Sequence, residues 1–386
     1  MQVTADIRYI GVHDHDIDLF EGQYQVPRGI SYNSYVILDD KVCVMDTTDR
    51  RKAEDYLKNL AEALGGRKPD YLVVSHVEPD HASSLQLFLD AYPETVIVGN
   101  AKTFQLLDNY FMLGSANKLT VKEGETLSLG RHTLKFLIAP MVHWPEVMLT
   151  WDECDRVLFS ADAFGQFGAV DLAHEWEDDE ARRYYFNIVG KYGPQVQTVL
   201  KKAAGLDIAL IAPLHGPVLA GEAIAHAVEK YQTWSTYAVE SEGVLVAWAS
   251  LHGNTAAAAE RLADILDQKG CPEIMTCDLA RDDGSEALAQ AFRYGKVVLA
   301  ASTYNAGLMP YMDDFLRHLA AKNWQKRTVG LIENGSWAPM AGKVMREALG
   351  GMKEITVLEP AVTLKGAPKT SDLAALEALA DRLMEK

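Results

Sequence analysis

Within one hexapeptide, His76-Val77-Glu78-Pro79-Asp80-His81, four side chains are able to bind a metal ion. The segment follows an apolar run, Tyr71-Leu72-Val73-Val74-Ser75, that reads as a buried strand. Pro79 sits mid-segment, where it is expected to bar regular helix and leave a turn. Carboxylates and imidazoles this crowded cost desolvation and repulsion unless a multivalent cation offsets them. Three more candidate ligands each follow an apolar run. His143 comes after Leu134 to Ala139, Asp162 after Arg156 to Ser160, and His215 after Ile208 to Ala212. A lone histidine on a loop is usually only solvated. Strand-end loops that each supply His or Asp describe a metal site at one edge of a sheet sandwich.

This ligand order resembles the metallo-β-lactamase superfamily, whose usual motif is H-x-H-x-D-H followed by His, Asp and His. The second histidine of that motif is Glu78 here. Imidazole-rich sets suit zinc, whereas an added carboxylate makes a harder, more anionic set suited to iron. With Glu78 and the loop Pro140-Met141-Val142-His143-Trp144-Pro145, the chain resembles a flavodiiron protein, and a second set of loops extends the resemblance over its whole length. Ser250-Leu251-His252-Gly253-Asn254-Thr255 joins an expected strand to an expected helix. Hydroxyls, a glycine and free N–H groups at a helix start suit a phosphate dianion. The chain contains neither GxGxxG nor GK[ST], the dinucleotide and triphosphate fingerprints. The loop resembles the flavodoxin phosphate loop, which binds FMN without a countercharge. Ser302-Thr303-Tyr304-Asn305-Ala306-Gly307 and Glu333-Asn334-Gly335-Ser336-Trp337-Ala338 stand where flavodoxins flank the isoalloxazine. Trp337 offers a flat apolar face for stacking. His252 has no assigned charge role and stands where the family carries an aromatic.

The elements that must position these residues fall into two patterns. Up to about Glu240, short apolar strands such as Tyr35 to Leu38, Val42 to Met45, Val96 to Val98 and Thr133 to Ile138 alternate with a few helices, Arg51 to Leu64 and Ser83 to Ala91 among them. The aromatic run Tyr184-Tyr185-Phe186 reads as helix packing. Beyond Gly243, strands and helices alternate: 243–249, 273–277, 296–301, 327–332 and 354–358 as strands, 254–268, 285–294, 310–321, 339–349 and 371–385 as helices. The expected fold is therefore α/β, with a metallo-β-lactamase-like αββα sandwich over residues 1–241. A flavodoxin-like, doubly wound five-stranded parallel sheet is expected over 242–386.

Composition agrees. A chain of 386 residues with 48% hydrophobic and 24% charged residues has room for two domain cores. No apolar run approaches a membrane span, and the first residues have no signal-peptide pattern, so a cytoplasmic protein is expected. A net charge of −17 argues against nucleic acid and anionic membranes and permits a partner with a basic docking face. The four cysteines form no CxxC pair.

The resemblance assigns roles. His76, Glu78 and His143 are expected to hold the iron nearer the flavin, and Asp80, His81 and His215 the other. Asp162 is expected to bridge them beside a solvent oxygen. Some family members leave the histidine equivalent to His81 unligated. Tyr192 is the candidate catalytic residue, a proton or hydrogen-bond donor above the metals. Ser250, His252, Gly253, Asn254, Thr255, Ser302, Thr303, Tyr304, Asn305, Gly307, Asn334, Gly335, Ser336 and Trp337 are the candidate FMN contacts. The implied cofactors are FMN and two non-haem iron ions per chain, and the implied activity is reduction of NO to N2O, of O2 to water, or both. A head-to-tail homodimer or a dimer of dimers is implied, with the FMN of one subunit against the iron pair of the other. The expected electron donor is a separate rubredoxin-like protein or a reduced deazaflavin, since no rubredoxin-type cysteines are present. Two rival readings are a dizinc hydrolase fused to a flavodoxin domain, which Glu78 opposes, and an electron carrier in which only the flavodoxin half works, which the complete ligand set opposes.

Overall fold

Short runs of branched and aromatic residues, punctuated by turn residues, build two six-stranded sheets in the first part of the chain. A computed structural model describes residues 1–114 and 116–385. They divide into two compact units, Met1–Gln232 and Thr233–Lys386.

In the first unit, one sheet runs Ile7–Tyr9, Tyr35–Leu38, Val42–Met45, Tyr71–Val73, Val96–Gly99, Lys118–Thr120. The other runs Thr126–Ser128, Thr133–Ile138, Met148–Asp152, Val157–Phe159, Leu210–Ala212, Leu219–Ala220. Alternate residues of both sheets interlock in one core. Ile37, Cys43, Met45, Val73 and Val98 of the first meet Leu134, Phe136, Met148, Val157 and Phe159 of the second. Val44, Leu72 and Ile97, on the reverse face of the first sheet, are buried as well. That face is covered by helices such as Ala53–Leu64, whose buried stripe is Tyr56, Leu60 and Leu64.

Strand direction gathers the ligand-bearing loops. Val157–Phe159 and Leu210–Ala212 are parallel. Thr133–Ile138 is antiparallel to Met148–Asp152, which is antiparallel to Val157–Phe159. The strands preceding His143, Asp162 and His215 therefore all run the same way, and their carboxyl ends share one edge. Tyr71–Val73 lies between two parallel neighbours and delivers His76 from its own carboxyl end.

The second unit has the strand order Ile274–Asp278, Ser241–Ala249, Tyr294–Tyr304, Arg327–Asn334, Ile355–Val357, all parallel. This is the doubly wound order whose ligand crevice lies where the winding reverses, between the first and third strands in sequence. Three details differ from expectation. The final edge is two short strands, Ile355–Val357 and Val362–Leu364, both paired with Arg327–Asn334. A two-residue strand, Gly307–Leu308, folds back antiparallel on Tyr294–Tyr304. Pro79 does not bar helix: it opens the short helix Pro79–Ala82. At the first helical position a proline loses no hydrogen bond and its fixed φ suits the turn.

Candidate functional site

The metal-type residues converge in the first unit as two adjoining groups. Glu78 precedes the helix Pro79–Ala82, so Asp80 and His81 are carried on its first turn, both buried. Glu78 Oε2 lies 3.1 Å from His76 Nε2 and 3.0 Å from His143 Nε2. Asp162 Oδ2 lies 3.0 Å from His143 Nε2 and 3.5 Å from His76 Nε2. In the second group, Asp80 Oδ2 is 3.2 Å from both His81 Nε2 and His215 Nε2, which stand 3.0 Å apart. Asp162 Oδ1 faces this group, 3.4 Å from His81 Nε2. One carboxylate thus turns an oxygen to each side. The turns that aim these groups carry left-handed backbone at non-glycine residues: Met141 (φ 65°), Ala161 (φ 50°) and Asp46 (φ 60°), whose carboxylate accepts the Ser75 N–H at 2.7 Å. Such conformations cost about 1–3 kcal/mol each and persist where surrounding contacts over-determine them.

The chemistry of the set fits a pair of metal ions. His215 Nδ1 lies 2.7 Å from the Ser31 carbonyl, which can only accept, so the ring proton sits there and Nε2 presents a lone pair. His76 Nδ1 is held at 2.8 Å by the fully buried Glu146, which leaves its Nε2 facing the group in the same way. Both Asp80 oxygens and Asp162 Oδ1 are buried without a hydrogen-bond partner. Acceptors turned on acceptors in a dry site are repulsive unless a cation lies among them. Burial opposes the imidazolium of His143, yet bonds to Asp162 and Glu78 outweigh it and hold its pKa at about 9. Burial likewise opposes the charged form of His76, and Asp162, Glu146 and Glu78 raise it nonetheless. A set that draws protons onto its imidazoles is one a multivalent cation can discharge.

In the second unit, a cavity of about 240 Å³ opens at the carboxyl ends of the first, third and fourth strands. Gly253, at φ +84°, turns the chain into helix Asn254–Gln268 with no side-chain cap, so the first helical N–H groups face outward. Thr255 Oγ1 and Ser302 Oγ are 2.8 Å apart, and Ser302 also accepts the Leu251 N–H at 3.2 Å. Ser250 Oγ is buried without a partner. His252, Asn254, Thr255, Ser302, Thr303, Asn305, Asn334, Gly335, Ser336 and Trp337 line the cavity. Ser250, Gly253, Tyr304 and Gly307 belong to the same loops without lining it, whereas Leu251, Ala306 and Ala338 of those loops line it too, as does Gly366, which was not anticipated. A Cβ at Gly335 would come within 2.8 Å of Pro339, so the close backbone approach there requires glycine. Trp337 stands 92% exposed at the rim, its ring faces open. Hydroxyls and helix-start amides at one end and an aromatic plane at the other fit a flavin mononucleotide.

Two protein-family profiles match the chain: the ODP family beta lactamase over residues 30–216 and a flavodoxin domain over 245–367. Rubredoxin-oxygen oxidoreductase of Megalodesulfovibrio gigas is 29% identical across 99% of this chain and 98% of its own. Nitric oxide reductase of Moorella thermoacetica is 29% identical across 96% and 94%. The crystal structure of the flavodiiron protein from Giardia intestinalis superimposes with a TM-score of 0.93 at 27% identity, covering 99% of this chain and 96% of that one. The chain thus matches flavodiiron proteins in both of its domains and over nearly its whole length.

Sequence reasoning missed several residues at the metal groups. Glu146, three residues beyond His143, orients His76 and also accepts the Val77 N–H at 2.9 Å. Its place in the His143-Trp144-Pro145-Glu146 loop was the only available signal. Tyr192 closes the 3-10 turn Gly190–Tyr192 beside Lys191. Tyrosines brought against the metal groups are Tyr184, its ring 5.5 Å from that of His215 and its hydroxyl buried without a partner, and Tyr32, 6.2 Å from the same ring. The run Tyr184-Tyr185-Phe186 does pack a helix, Asp178–Ile188, but one of its faces reaches the site. Among the described residues, no helix is long and apolar enough to cross a membrane.

Proposed function

We propose that this chain is a flavodiiron protein that reduces nitric oxide to N2O, dioxygen to water, or both, at a non-haem diiron centre fed with electrons through FMN. The carrying observation is Asp162, whose two oxygens serve both ligand groups. In this reading His76, Glu78 and His143 hold one iron, Asp80, His81 and His215 the other, and Asp162 bridges. Glu78 supports iron over zinc, being a hard anionic donor within 3.1 Å of two imidazoles. When bound, the iron pair supplies open coordination positions and FMN relays electrons singly or in pairs. The chain's own part is to hold the His76 and His215 rings through Glu146 and the Ser31 carbonyl. The donor role expected of Tyr192 falls better to Tyr184, a tyrosine beside His215 whose hydroxyl has no partner.

The diiron domain is assigned to residues 1–241 and the FMN domain to 242–386, a boundary within one residue of the start of the parallel sheet's first strand, Ser241–Ala249. Loops 250–255, 302–307 and 334–337 are assigned to FMN. A head-to-tail dimer or dimer of dimers, a rubredoxin-like or deazaflavin donor and a cytoplasmic location complete the reading. Four free cysteines accord with a reducing compartment. Anaerobic NO uptake and matched O2 uptake with one artificial donor, with metal and flavin analysis of iron-replete protein, test it. Gas consumption by iron- and FMN-loaded protein is expected; zinc with hydrolytic turnover and no gas uptake would restore the hydrolase reading.

A further inference from the structure

The 5′-phosphate of FMN is a dianion at neutral pH, and this chain, at −17, is a poor general environment for one. The cavity at the Ser250–Thr255 loop meets it with hydroxyls and amides. Of the 14 residues lining that cavity, His252 alone has a titratable side chain, and there is no lysine or arginine among them. His252 is exposed, so a proton can reach it, and it immediately precedes the Gly253 turn whose following N–H groups open toward the cavity. Ser250 Oγ, two residues earlier on the same loop, is buried and unpartnered but does not line the cavity. The ionisable residues next to the lining in sequence do not themselves line the cavity. Glu333, next to the lining Asn334, has its oxygens taken by the Gly342 N–H and the Thr363 hydroxyl, at 2.8 and 2.9 Å. Tyr304 and Lys365 adjoin lining residues without lining the cavity themselves.

Resting on the FMN reading, we infer that the imidazole of His252 is a proton-dependent countercharge for the 5′-phosphate, so that this chain takes up a proton as it takes up FMN. The protonated ring donates to a phosphate oxygen, and the charge-assisted bond holds the proton more tightly than water does. The sign follows from linkage. A bond that only the protonated ring can make strengthens FMN binding on the acidic side and is lost as pH rises. The phosphate, with a second ionisation near about pH 6, is largely a dianion only above that value, so the pH dependence of the imidazole is read from about pH 6.5 upward.

The test uses the full-length, metal-loaded chain freed of flavin at neutral pH, titrated with FMN and with riboflavin between about pH 6.5 and 8.5. Flavin fluorescence reports the Kd, and calorimetry in two buffers of different ionisation enthalpy reports proton uptake. The Kd for FMN should rise about fivefold across this range, as suits a solvent-accessible ion pair, while that for riboflavin stays level. His252→Asn should give FMN a level, weak Kd, and His252→Lys a level, tight one. A level FMN curve in the wild type, an equal slope for riboflavin, or an unchanged slope in His252→Asn would overturn the inference with the FMN reading intact. Failure of FMN to bind at any pH would remove that reading and the inference together.

Discussion

Glu78 sets its Oε2 3.0 Å from His143 Nε2 and 3.1 Å from His76 Nε2, a carboxylate where an imidazole would suit zinc. Changing Glu78→His should move metal preference from iron toward zinc and abolish NO and O2 uptake while FMN stays bound. Metal analysis beside flavin absorbance checks this, and a variant that keeps its irons and its turnover would show that ligand charge does not select the metal. Glu146 tests orientation separately from ligation. Glu146→Gln keeps the shape but replaces the anion that fixes the His76 Nδ1 proton, so metal affinity should fall about 10- to 100-fold, read from iron loss to a chelator. Because Glu146 accepts the Val77 N–H as well, a thermal melt of the variant would separate lost ligation from lost fold.

Among the elements, His132 joins the start of Thr133–Ile138 to the end of Met148–Asp152. Its Nδ1 is 3.0 Å from both Asp152 oxygens, and its Nε2 is 3.3 Å from Asp6 near the first strand. Burial disfavours its charge, but the bonds to Asp152 and then Asp6 prevail and raise its pKa above the ordinary value. A raised imidazole stabilises the folded state fully below its unfolded value, about 6.5, and loses that contribution as pH climbs through the folded value. Denaturant midpoints of the wild type should therefore fall between mildly acidic and mildly alkaline pH. His132→Asn should cost about 2 kcal/mol at the acidic end and show a smaller fall. Identical pH slopes in the two proteins would mean that the clamp is not what titrates.

At the scale of the molecule, the proposed head-to-tail dimer makes two kinds of defective subunit complementary. One lacks iron, through His143→Ala with Asp162→Ala. The other lacks FMN through Thr255→Glu, which sets a carboxylate at a buried hydroxyl beside Ser302 where the phosphate is assigned. Each parent should be nearly inactive. Mixed dimers, verified by native mass spectrometry, should regain gas consumption by pairing the intact FMN of one subunit with the intact iron site of its partner. If electron transfer ran within a single chain, the verified hybrids would remain as inactive as their parents.

Much of this was legible in the residue order, because it depends on local rules. Apolar runs ending in His or Asp mark strand-end loops, and helix Asn254–Gln268 begins and ends where its pattern does. The alternation beyond Gly243 specifies a parallel sheet because parallel strands need long crossovers. The hexapeptide from His76 to His81 announces a metal because few other environments tolerate such crowding. Other features belong to the tertiary structure. That Asp162 divides its oxygens between two groups depends on where four separate segments bring their atoms, and left-handed Ala161 leaves no periodic trace. Tyr184 and Tyr185 are adjacent and chemically identical, and only helix packing turns the former's ring toward His215. Glu146 looks like any loop glutamate until folding buries it against His76. Sequence carries residue type and period; burial and side-chain direction, which decide whether a carboxylate is solvated or holds a ligand, arise from contacts between segments far apart in the chain.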